Sequence, residues 1–451
     1  MIKSEFQRLA ARISAFSAIS YAIAYSSQLI DIFWVSRLGA GAPTAIAVVS
    51  AIFLIVLTLN EVIGVSSVAL LSQSMGTGNK DRTATLILNA LCLKLVFGLG
   101  MACVFMLLIS YGSHWYTDDP EIRVYVLRYS RVIWLSLVLV PVGATALTVL
   151  RIIGSEKHTA VIAIAALVIN AALTPWLIFG GLGVNALGIA GAAWATVITE
   201  FSVMAVAIVL VACNHVGLKL SFNSMHWEPA LYRDFLFIGL PIAGVVLLMN
   251  LERAFITAIV SQHSVEVSDG FAIGLRIFGF YGMGIFGVSL GAAVAVGRTI
   301  GAGRFGTIQS ELSRFALLAG LTTLVLYSPV LIFAHEIISF FSSNPRSIAT
   351  GALYLQVMGL VIVVYSVYYV YNGAFEGAGR NRPLLLVAIV VFIGVEFPLL
   401  FLIANYSSGK LIFIWWVMLL AAICNAACTW YLFRLGHWRT TVQCLSEAET
   451  T

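Results

Sequence analysis

A single carboxylate, Asp31, lies near the end of a long apolar stretch that runs from Ser17 to Gly39. On a helix, small and polar residues share the face of this carboxylate at spacings of three and four, with Ile19 and Phe33 on the opposite face. The residues of the polar face are Ser17, Ser20, Ala24, Ser27, Gln28 and Asp31. A carboxylate in such a stretch either reaches water near a membrane surface or forms a titratable cation site in a protein-lined interior.

The composition places this stretch in a membrane protein. Hydrophobic residues make up 61% of the 451 residues and charged residues only 10%, with a mean hydropathy of +1.00. Soluble domains carry about 25% charged residues. The net charge of +5 is thinly spread, and no basic block suggests a nucleic acid partner. We therefore expect an integral membrane protein that binds no nucleic acid.

Twelve apolar segments are long enough to cross a bilayer as helices. They are residues 12–37, 44–72, 84–110, 122–150, 159–180, 188–213, 231–260, 269–298, 308–340, 348–376, 383–404 and 410–434. With the N-terminus inside, sixteen of the 25 Lys and Arg residues fall in cytoplasmic segments and five at external ends. The sequence predicts an all-α, multi-pass plasma-membrane protein, in the bacterial inner membrane, with both termini cytoplasmic.

An internal repeat relates the two halves of the chain at an offset of 225 residues. The matching pairs are Ser74–Asn79 with Thr299–Arg304, Asp119-Pro120 with Asn344-Pro345, and Gly154 with Gly379. We predict two six-helix bundles, residues 1–213 and 231–451, joined by a cytoplasmic linker at 214–230. Because six is even, the bundles should be parallel and related by a pseudo-two-fold axis along the membrane normal. Alternating access between such bundles is typical of secondary transporters.

Motifs for nucleotide hydrolysis and for metal sites are missing from the sequence. It contains no Walker A loop, no HExxH motif and no Cys/His cluster. We therefore expect a transporter without a cofactor rather than an enzyme. A membrane enzyme or a sensor without a transport cycle is the alternative from a different class.

Several motifs, in their order and spacing, resemble the multidrug and toxic compound extrusion (MATE) family of twelve-helix, cation-coupled exporters. Those of the first half are DIFWVSRLG at 31–39, SQSMGTGNK at 72–80, LRIIGSEKHTA at 150–160, INAALTPWLIFG at 169–180 and GIAGAAWAT at 188–196. Those of the second half are IGLP at 238–241, AIGLRI at 272–277, IGAGR at 300–304 and FEGAGRNRP at 375–383. The resemblance covers nearly the whole chain, and Asp31 is similar to the coupling aspartate of the DinF-type branch.

The resemblance implies a set of cation-coupling residues: Asp31, Asn170, Thr174 and Thr196. Two features depart from the family pattern. Thr174-Pro175 stands where the family has an acid followed by proline, and the family's first-helix proline is absent, since the first proline of the chain is Pro43. A hydroxyl and an amide can still hold Na⁺ or accept a hydrogen bond from a protonated acid. Both H⁺ and Na⁺ therefore stay open as the coupling ion, and no other metal is expected.

Further polar residues within the spans are candidates for coupling or substrate binding. They are Asn60, Glu61, Ser27, Gln28, Glu200, Glu252 and Tyr368. The structural alternative for Asn60 and Glu61 is an interhelical hydrogen bond. For Glu200 it is an ion pair with Arg131, and for Tyr368 an aromatic belt at the membrane interface. Glu396, near the repeat position of Thr174, is interpreted as a packing residue.

The sequence as a whole predicts a secondary active exporter of small organic compounds, cationic or amphiphilic, by antiport with H⁺ or Na⁺. Asp31 is the predicted coupling carboxylate. The alternative transport function is a flippase or exporter of lipid-linked or amphiphilic metabolite cargo, which requires a cationic cavity. We expect a monomer whose partners are organic substrates and membrane lipids.

Overall fold

The computed structural model describes residues 4–39, 41–116, 119–181, 183–213, 228–406 and 411–439, with the backbone alone at 112–116 and 406. These residues form α-helices, apart from short turns and a β-bridge between Gly181 and Val184. The helices are α1 (Glu5–Val35), α2 (Gly41–Thr58), α3 (Asn60–Thr77), α4 (Lys80–Tyr116), α5 (Pro120–Ile133), α6 (Ser136–Ile152), α7 (Glu156–Phe179), α8 (Ile189–Ala212), α9 (Pro229–Ser261), α10 (Val265–Gly301), α11 (Phe305–Ile332), α12 (Ala334–Ser339), α13 (Pro345–Ala378), α14 (Arg382–Val391), α15 (Phe397–Tyr406) and α16 (Ile412–Arg434).

Eleven helical segments of the described chain are long and apolar enough to cross a membrane, with α14 and α15 counted as one. The pair α5 and α6, bent by 43°, qualifies as a twelfth if it is a single span. Each of the twelve predicted segments falls on one of these helices or helix pairs. The prediction of an all-α membrane fold is therefore confirmed.

Four of the predicted spans are interrupted, which the sequence did not reveal. The ninth, 308–340, breaks at Phe333 between α11 and α12. The second span breaks at Leu59 between α2 and α3, and the fourth at Trp134 and Leu135 between α5 and α6. A π-helical turn at Phe392–Glu396 joins α14 to α15, close to Pro398. Proline has no N–H for the helical ladder, and a π turn is one way a helix adapts to that loss. By contrast α1 is a continuous helix of 31 residues, although it lacks the family proline.

Local conformations repeat at the offset found in the sequence. Asp119 and Asn344 both cap the helix that follows, because each side chain accepts a hydrogen bond from the backbone N–H two residues later. Glycines at matching positions adopt positive φ, as a chain leaving a helix often requires. The pairs are Gly78 (φ 78°) with Gly303 (φ 69°), and Gly154 (φ 91°) with Gly379 (φ 70°). The two halves therefore use the same helix-ending devices at equivalent positions.

Packing divides the chain into two compact units. The N-unit is Ile19–Gly239, and the C-unit is Met1–Ala18 with Leu240–Thr451. The predicted halves 1–213 and 231–451 follow chain order, whereas the packing units cut α1 after Ala18 and α9 after Gly239. Residues 214–227 of the predicted linker lie outside the described residues. The pseudo-two-fold relation between the bundles stays a prediction.

The starts of α1 and α9 join their units through close backbone contacts. In the C-unit, a Cβ on Gly287 of α10 would lie 2.4 Å from the Ala18 nitrogen, so α1 can approach only because the residue is glycine. In the N-unit, a Cβ on Gly239 of α9 would lie 1.5 Å from the Val62 carbonyl oxygen. The Tyr232 hydroxyl of α9 also donates to Asn89 Oδ1 at 2.6 Å. Packing, rather than chain order, therefore decides to which unit the first part of each of these two helices belongs.

Helix α13 occupies the centre of the C-unit and packs along α10, α11 and α16. A Cβ on Gly373 would lie 2.3 Å from the Ser289 carbonyl oxygen, and one on Gly377 would lie 2.1 Å from that of Ala293. The same stretch of α10, residues 287–291, matches the pattern GxSxG. It lies within a continuous helix rather than at the strand-to-helix turn of a hydrolase, so it serves helix packing.

We expect Gly377→Ala to destabilise the protein, because the added methyl group would collide with the backbone of α10. Overpacking of this kind typically costs about 1–3 kcal/mol. The measurement is the thermal denaturation midpoint of the detergent-purified protein. Gly282→Ala is the matched control on α10, where a Cβ would meet nothing within 4 Å. An equal midpoint for both variants would contradict the close α10–α13 contact.

Candidate functional site

Asp31 on α1 accepts hydrogen bonds from residues of two other helices of the N-unit. Thr174 Oγ1 of α7 donates to Asp31 Oδ1 at 2.9 Å, and Thr196 Oγ1 of α8 donates to Asp31 Oδ2 at 3.3 Å. The Asn170 side chain, one turn before Thr174, also hydrogen-bonds to the carboxyl group. Thr174 and Asn170 are buried, with exposed fractions of 0% and 2%. The structure thus brings together the four residues predicted for cation coupling.

Two of these groups have hydrogen-bonding capacity beyond Asp31. The Thr196 hydroxyl lies 3.1 Å from the Ala192 carbonyl oxygen, which offers its single proton a second acceptor. Asn170 Oδ1 is buried and has no hydrogen-bond partner. The site therefore contains one hydroxyl that can change its acceptor and one oxygen with free lone pairs.

Ser27 and Gln28 lie one turn before Asp31 on the same helix. Gln28 is exposed and Ser27 is half-buried. Among the hydrogen bonds of the described residues, none joins either side chain to the carboxyl group of Asp31. These two predicted residues lie near the coupling set without contacting its acid.

Glu200 lies one turn after Thr196 on α8, near enough to Asp31 for their charges to interact. It faces the Ser136 hydroxyl of α6, and its Oε2 atom is buried without a hydrogen-bond partner. The described ion pairs do not include one between Glu200 and Arg131, whose side chain is exposed. Tyr129 of α5 is close to both acids. The sequence did not single out Tyr129, because a tyrosine in an apolar segment has no distinctive spacing.

Asn60 and Glu61 lie at the break between α2 and α3, where they meet a residue that the sequence reasoning overlooked. Lys94 of α4, with an exposed fraction of 1%, donates to the Asn60 carbonyl oxygen at 2.6 Å and also to Asn60 Oδ1. Its ammonium charge also acts on the Glu61 carboxylate. A lysine in the middle of an apolar segment is a signal, since a buried ammonium requires partners. The structure therefore contains the structural alternative for Asn60, a hydrogen bond between helices, here with Lys94.

Glu252 and Tyr368 belong to the C-unit and line a cleft there, together with Glu396 of the π turn. Glu396, interpreted from the sequence as a packing residue, is 3% exposed and also borders this cleft. The sequence shows that Glu396 lies near a proline, but it does not show that Glu396 meets Glu252 of another helix. In the described part of the chain, no group of three or more His, Cys, Asp or Glu residues could hold a metal ion.

The sequence model of the family described as MatE matches residues 17–176 and 241–402. The chain belongs to the MatE family. The two matched segments begin at corresponding points of the internal repeat, and together they cover more than half of the chain. Family membership confirms the resemblance to multidrug and toxic compound extrusion proteins.

Curated relatives and solved structures agree with this assignment. The probable multidrug resistance protein YoeA of Bacillus subtilis (strain 168) is 23% identical over 401 residues, covering 86% of this chain and 85% of its own. The FAD transporter of Shewanella oneidensis is 25% identical over 392 residues, covering 85% and 84%. A structure described as the outward-facing conformation of a multidrug resistance MATE family transporter has a TM-score of 0.89 at 17% identity, covering 97% of this chain and 98% of that one. This MatE protein is a multi-pass membrane transporter and not an enzyme.

We expect Lys94→Met to destabilise the MatE protein, since it removes the donor at the helix break and the counter-charge of Glu61. Breaking a buried charge pair on one side typically costs about 3–5 kcal/mol. The double variant Lys94→Met with Glu61→Gln should recover part of this loss, because no uncompensated charge remains. Thermal denaturation in detergent is the measurement, and Lys157→Met is the control at an exposed lysine. A double variant no more stable than Lys94→Met would contradict a charge interaction between the two residues.

Proposed function

We propose that this MatE protein exports organic compounds by antiport with H⁺ or Na⁺, and that Asp31 is its coupling carboxylate. The observation that carries the proposal is the set of donors from α7 and α8 that converge on this one acid. An ionised carboxylate only accepts hydrogen bonds, and both of its oxygens have hydroxyl donors here. The arrangement therefore suits the charged form of Asp31.

A proton arriving at Asp31 would change this arrangement. A protonated oxygen becomes a donor, and it cannot face a hydroxyl that also donates. Thr196 can release Oδ2 by turning its proton to the Ala192 carbonyl oxygen, and its own oxygen then accepts from the acid. Protonation at Oδ2 thus repacks the contact between α1 and α8. For Na⁺, the carboxylate and the free Asn170 Oδ1 would instead supply oxygen ligands.

Repacking at Asp31 acts on a helix that belongs to both packing units. Residues of α1 up to Ala18 are in the C-unit, and those from Ile19 onwards, including Asp31, are in the N-unit. A ligand or proton shifts a conformational equilibrium only by its differential affinity for the two states. In this mechanism the differential contact is the Asp31–Thr196 hydrogen bond, and α1 connects it to the alternating access of the transporter.

The same observations support the finer assignments. We propose the DinF-type branch, because the coupling acid is on the first helix. Thr174 occupies the position at which that branch has its second acid. Glu200 on α8 is the nearby carboxylate that can take the role of this missing acid. We further propose that both termini are cytoplasmic, as the distribution of Lys and Arg residues indicates. We also propose that the protein is a monomer in a bacterial inner membrane.

Export of an amphiphilic metabolite is the second candidate function, because one relative is named a FAD transporter. An anionic cargo of that kind would require basic groups. Arg131, Arg253 and Arg276 are intramembrane arginines with exposed side chains. An efflux panel that contains both cationic dyes and FAD would decide between the two cargo classes.

We expect Asp31→Asn to abolish efflux in proteoliposomes, because an amide cannot alternate between charged and neutral forms. Efflux should be measured with imposed pH gradients and, separately, with Na⁺ gradients, so that the driving ion is identified as well. The variant should elute as the folded protein in size-exclusion chromatography. Asp269→Asn, at an exposed aspartate, is the matched control and should transport normally. Full transport by the Asp31 variant would refute its coupling role.

We expect Thr196→Val to reduce efflux by about tenfold or more, because a hydrogen bond to a charged group contributes about 1.5–3 kcal/mol. Thr196→Ser keeps the hydroxyl and should transport at close to the normal rate. Thr199→Val is the control on the same helix, since its hydroxyl donates only to the Ala195 carbonyl oxygen. Initial efflux rates under a fixed gradient provide the measurement. Equal rates for Thr196→Val and Thr196→Ser would exclude the proposed change of acceptor.

A further inference from the structure

The exposed face of α16 is an apolar stripe that ends at an arginine. Its residues recur at spacings of three and four, so they share one side of this helix, which is long and apolar enough to cross a membrane. They are Trp416, Leu420, Ile423, Ala427, Trp430 and Arg434. Given the helical rise per residue, the apolar part from Trp416 to Trp430 is about 21 Å long. One leaflet contains roughly 15 Å of hydrocarbon, so a lipid acyl chain can lie along the stripe.

The arginine at the end of the stripe is held by an aromatic ring of the same stripe. Arg434 Cζ lies 4.7 Å from the centroid of the Trp430 ring, one turn earlier on α16. A guanidinium group that stacks on a ring keeps its N–H donors free, because they lie in its own plane. The described ion pairs do not include Arg434. Its donors are therefore available to an oxyanion, and a phosphate group fits them well.

A second arginine is fixed in the turn that follows α16. Gly436, with φ 83°, lets the chain turn back at the end of the helix. Trp438 is buried in this turn: its ring stacks on Phe433 with centroids 5.1 Å apart, and its Nε1 donates to the Phe433 carbonyl oxygen at 2.9 Å. Arg439 Cζ lies 5.7 Å from the Trp438 ring centroid, and its Cδ would lie 3.3 Å from a Cβ on Gly436. The Arg439 side chain thus folds back over the turn, at the same end of the helix as Arg434.

The charge at this end of α16 is positive. Residues 411–439 contain no Asp or Glu, and the described ion pairs do not include Arg439. The neighbouring helix α11 begins at Phe305, whose ring stacks on Trp438. The basic residue before it, Arg304, already has a carboxylate at 3.7 Å, that of Glu5. Two guanidinium charges therefore lie beside an apolar stripe without a described acidic partner.

We propose that this end of α16 is a binding site for an anionic phospholipid, whose phosphate accepts hydrogen bonds from Arg434 and Arg439 and whose acyl chain lies along the stripe. The stripe favours a lipid over a soluble anion, because it continues directly from Arg434 into the apolar part of the helix. The two charges favour an anionic headgroup over a zwitterionic one, which carries its own cation. Lipid binding is independent of the proposed export function, since it involves no transport step.

Binding of dioleoyl phosphatidylglycerol to the detergent-purified protein tests the proposal, with dioleoyl phosphatidylcholine as the zwitterionic comparison. Native mass spectrometry resolves the first bound lipid and gives its affinity. Phosphatidylglycerol should bind at least about tenfold more tightly than phosphatidylcholine. Arg434→Gln and Arg439→Gln should each weaken phosphatidylglycerol by about fivefold, and the double variant by about 25-fold. Arg346→Gln, at an exposed arginine of the same unit, is the control and should bind normally.

Two results of this experiment would overturn the proposal. One is a double variant that binds phosphatidylglycerol as tightly as the unmodified protein, and the other is an equal affinity for the two lipids. Thermal denaturation checks that each variant is folded, and the substitutions at exposed side chains should leave the midpoint without lipid unchanged.

Inorganic phosphate distinguishes a lipid site from a site for any oxyanion. A ligand that binds the folded protein raises its denaturation midpoint. Phosphatidylglycerol should therefore raise the midpoint of the unmodified protein and not that of the double variant. Inorganic phosphate at the same concentration should leave both midpoints unchanged. An equal rise with inorganic phosphate would show that the acyl chain contributes nothing, and the lipid site would be wrong.

The ring beneath Arg434 provides a readout that does not alter the charge. Trp430→Phe keeps an aromatic face and should retain the affinity for phosphatidylglycerol. Trp430→Leu keeps an apolar side chain but removes that face, and it should lower the affinity by about twofold to fivefold. Trp416→Leu is the control at the other end of the stripe, far from both arginines. Equal affinities of the two Trp430 variants would contradict the role of the ring in holding Arg434.

Discussion

Polar groups inside the spans of this protein must find partners within the protein, because a bilayer core offers no water to replace them. The structure meets this constraint in three ways. Asp31 receives hydroxyl and amide donors from neighbouring helices. Lys94 is held by an amide oxygen and a backbone carbonyl oxygen at a broken helix. Glu252 meets a second acid with which it can share a proton.

These solutions differ in how they respond to a change of charge. Lys94 donates to a backbone carbonyl oxygen at a helix end. Losing its ammonium group would therefore leave that carbonyl group without a donor and Glu61 without its counter-charge. At Asp31 the donors are hydroxyls, which can rotate, and Thr196 has another acceptor within reach. Rotatable donors allow two hydrogen-bonding arrangements around one acid. The N-unit thus combines a rigid charged contact with an adaptable one.

The sequence predicted the features that depend on composition and order along the chain. Hydropathy identified the twelve segments, and the repeat identified the capping residues and glycines whose conformations recur. The four residues of the Asp31 set were also predicted, because they came with the family resemblance. Hydropathy reports only that a residue is surrounded by apolar neighbours in sequence. It therefore could not show that Lys94 meets Asn60, or that Glu396 meets Glu252, since those pairs are made by tertiary packing.

The breaks in the helices follow from the same limitation. At the break between α5 and α6, the Trp134 indole Nε1 donates to the Arg131 carbonyl oxygen at 3.1 Å. This carbonyl group lacks its usual helical donor, because the Leu135 N–H bonds to the Val132 carbonyl oxygen instead. A side-chain donor can replace a backbone one only if it reaches the correct carbonyl group. Sequence spacing indicates that such a donor exists but does not show where the ladder opens. Apolar segments were accordingly predicted as uninterrupted spans.

The two halves of the repeat have diverged at equivalent positions, with consequences for charge. Near the proline of its fifth span the first half has Thr174, which donates to a carboxylate on α1. The corresponding region of the second half has Glu396, which pairs with a carboxylate on α9 and lies in a π turn. A hydroxyl can donate a hydrogen bond to a charged carboxylate, whereas a second carboxyl group can donate one only when it is protonated. The first-half site therefore surrounds its acid with hydroxyl and amide donors, whereas the second-half site places two acids side by side.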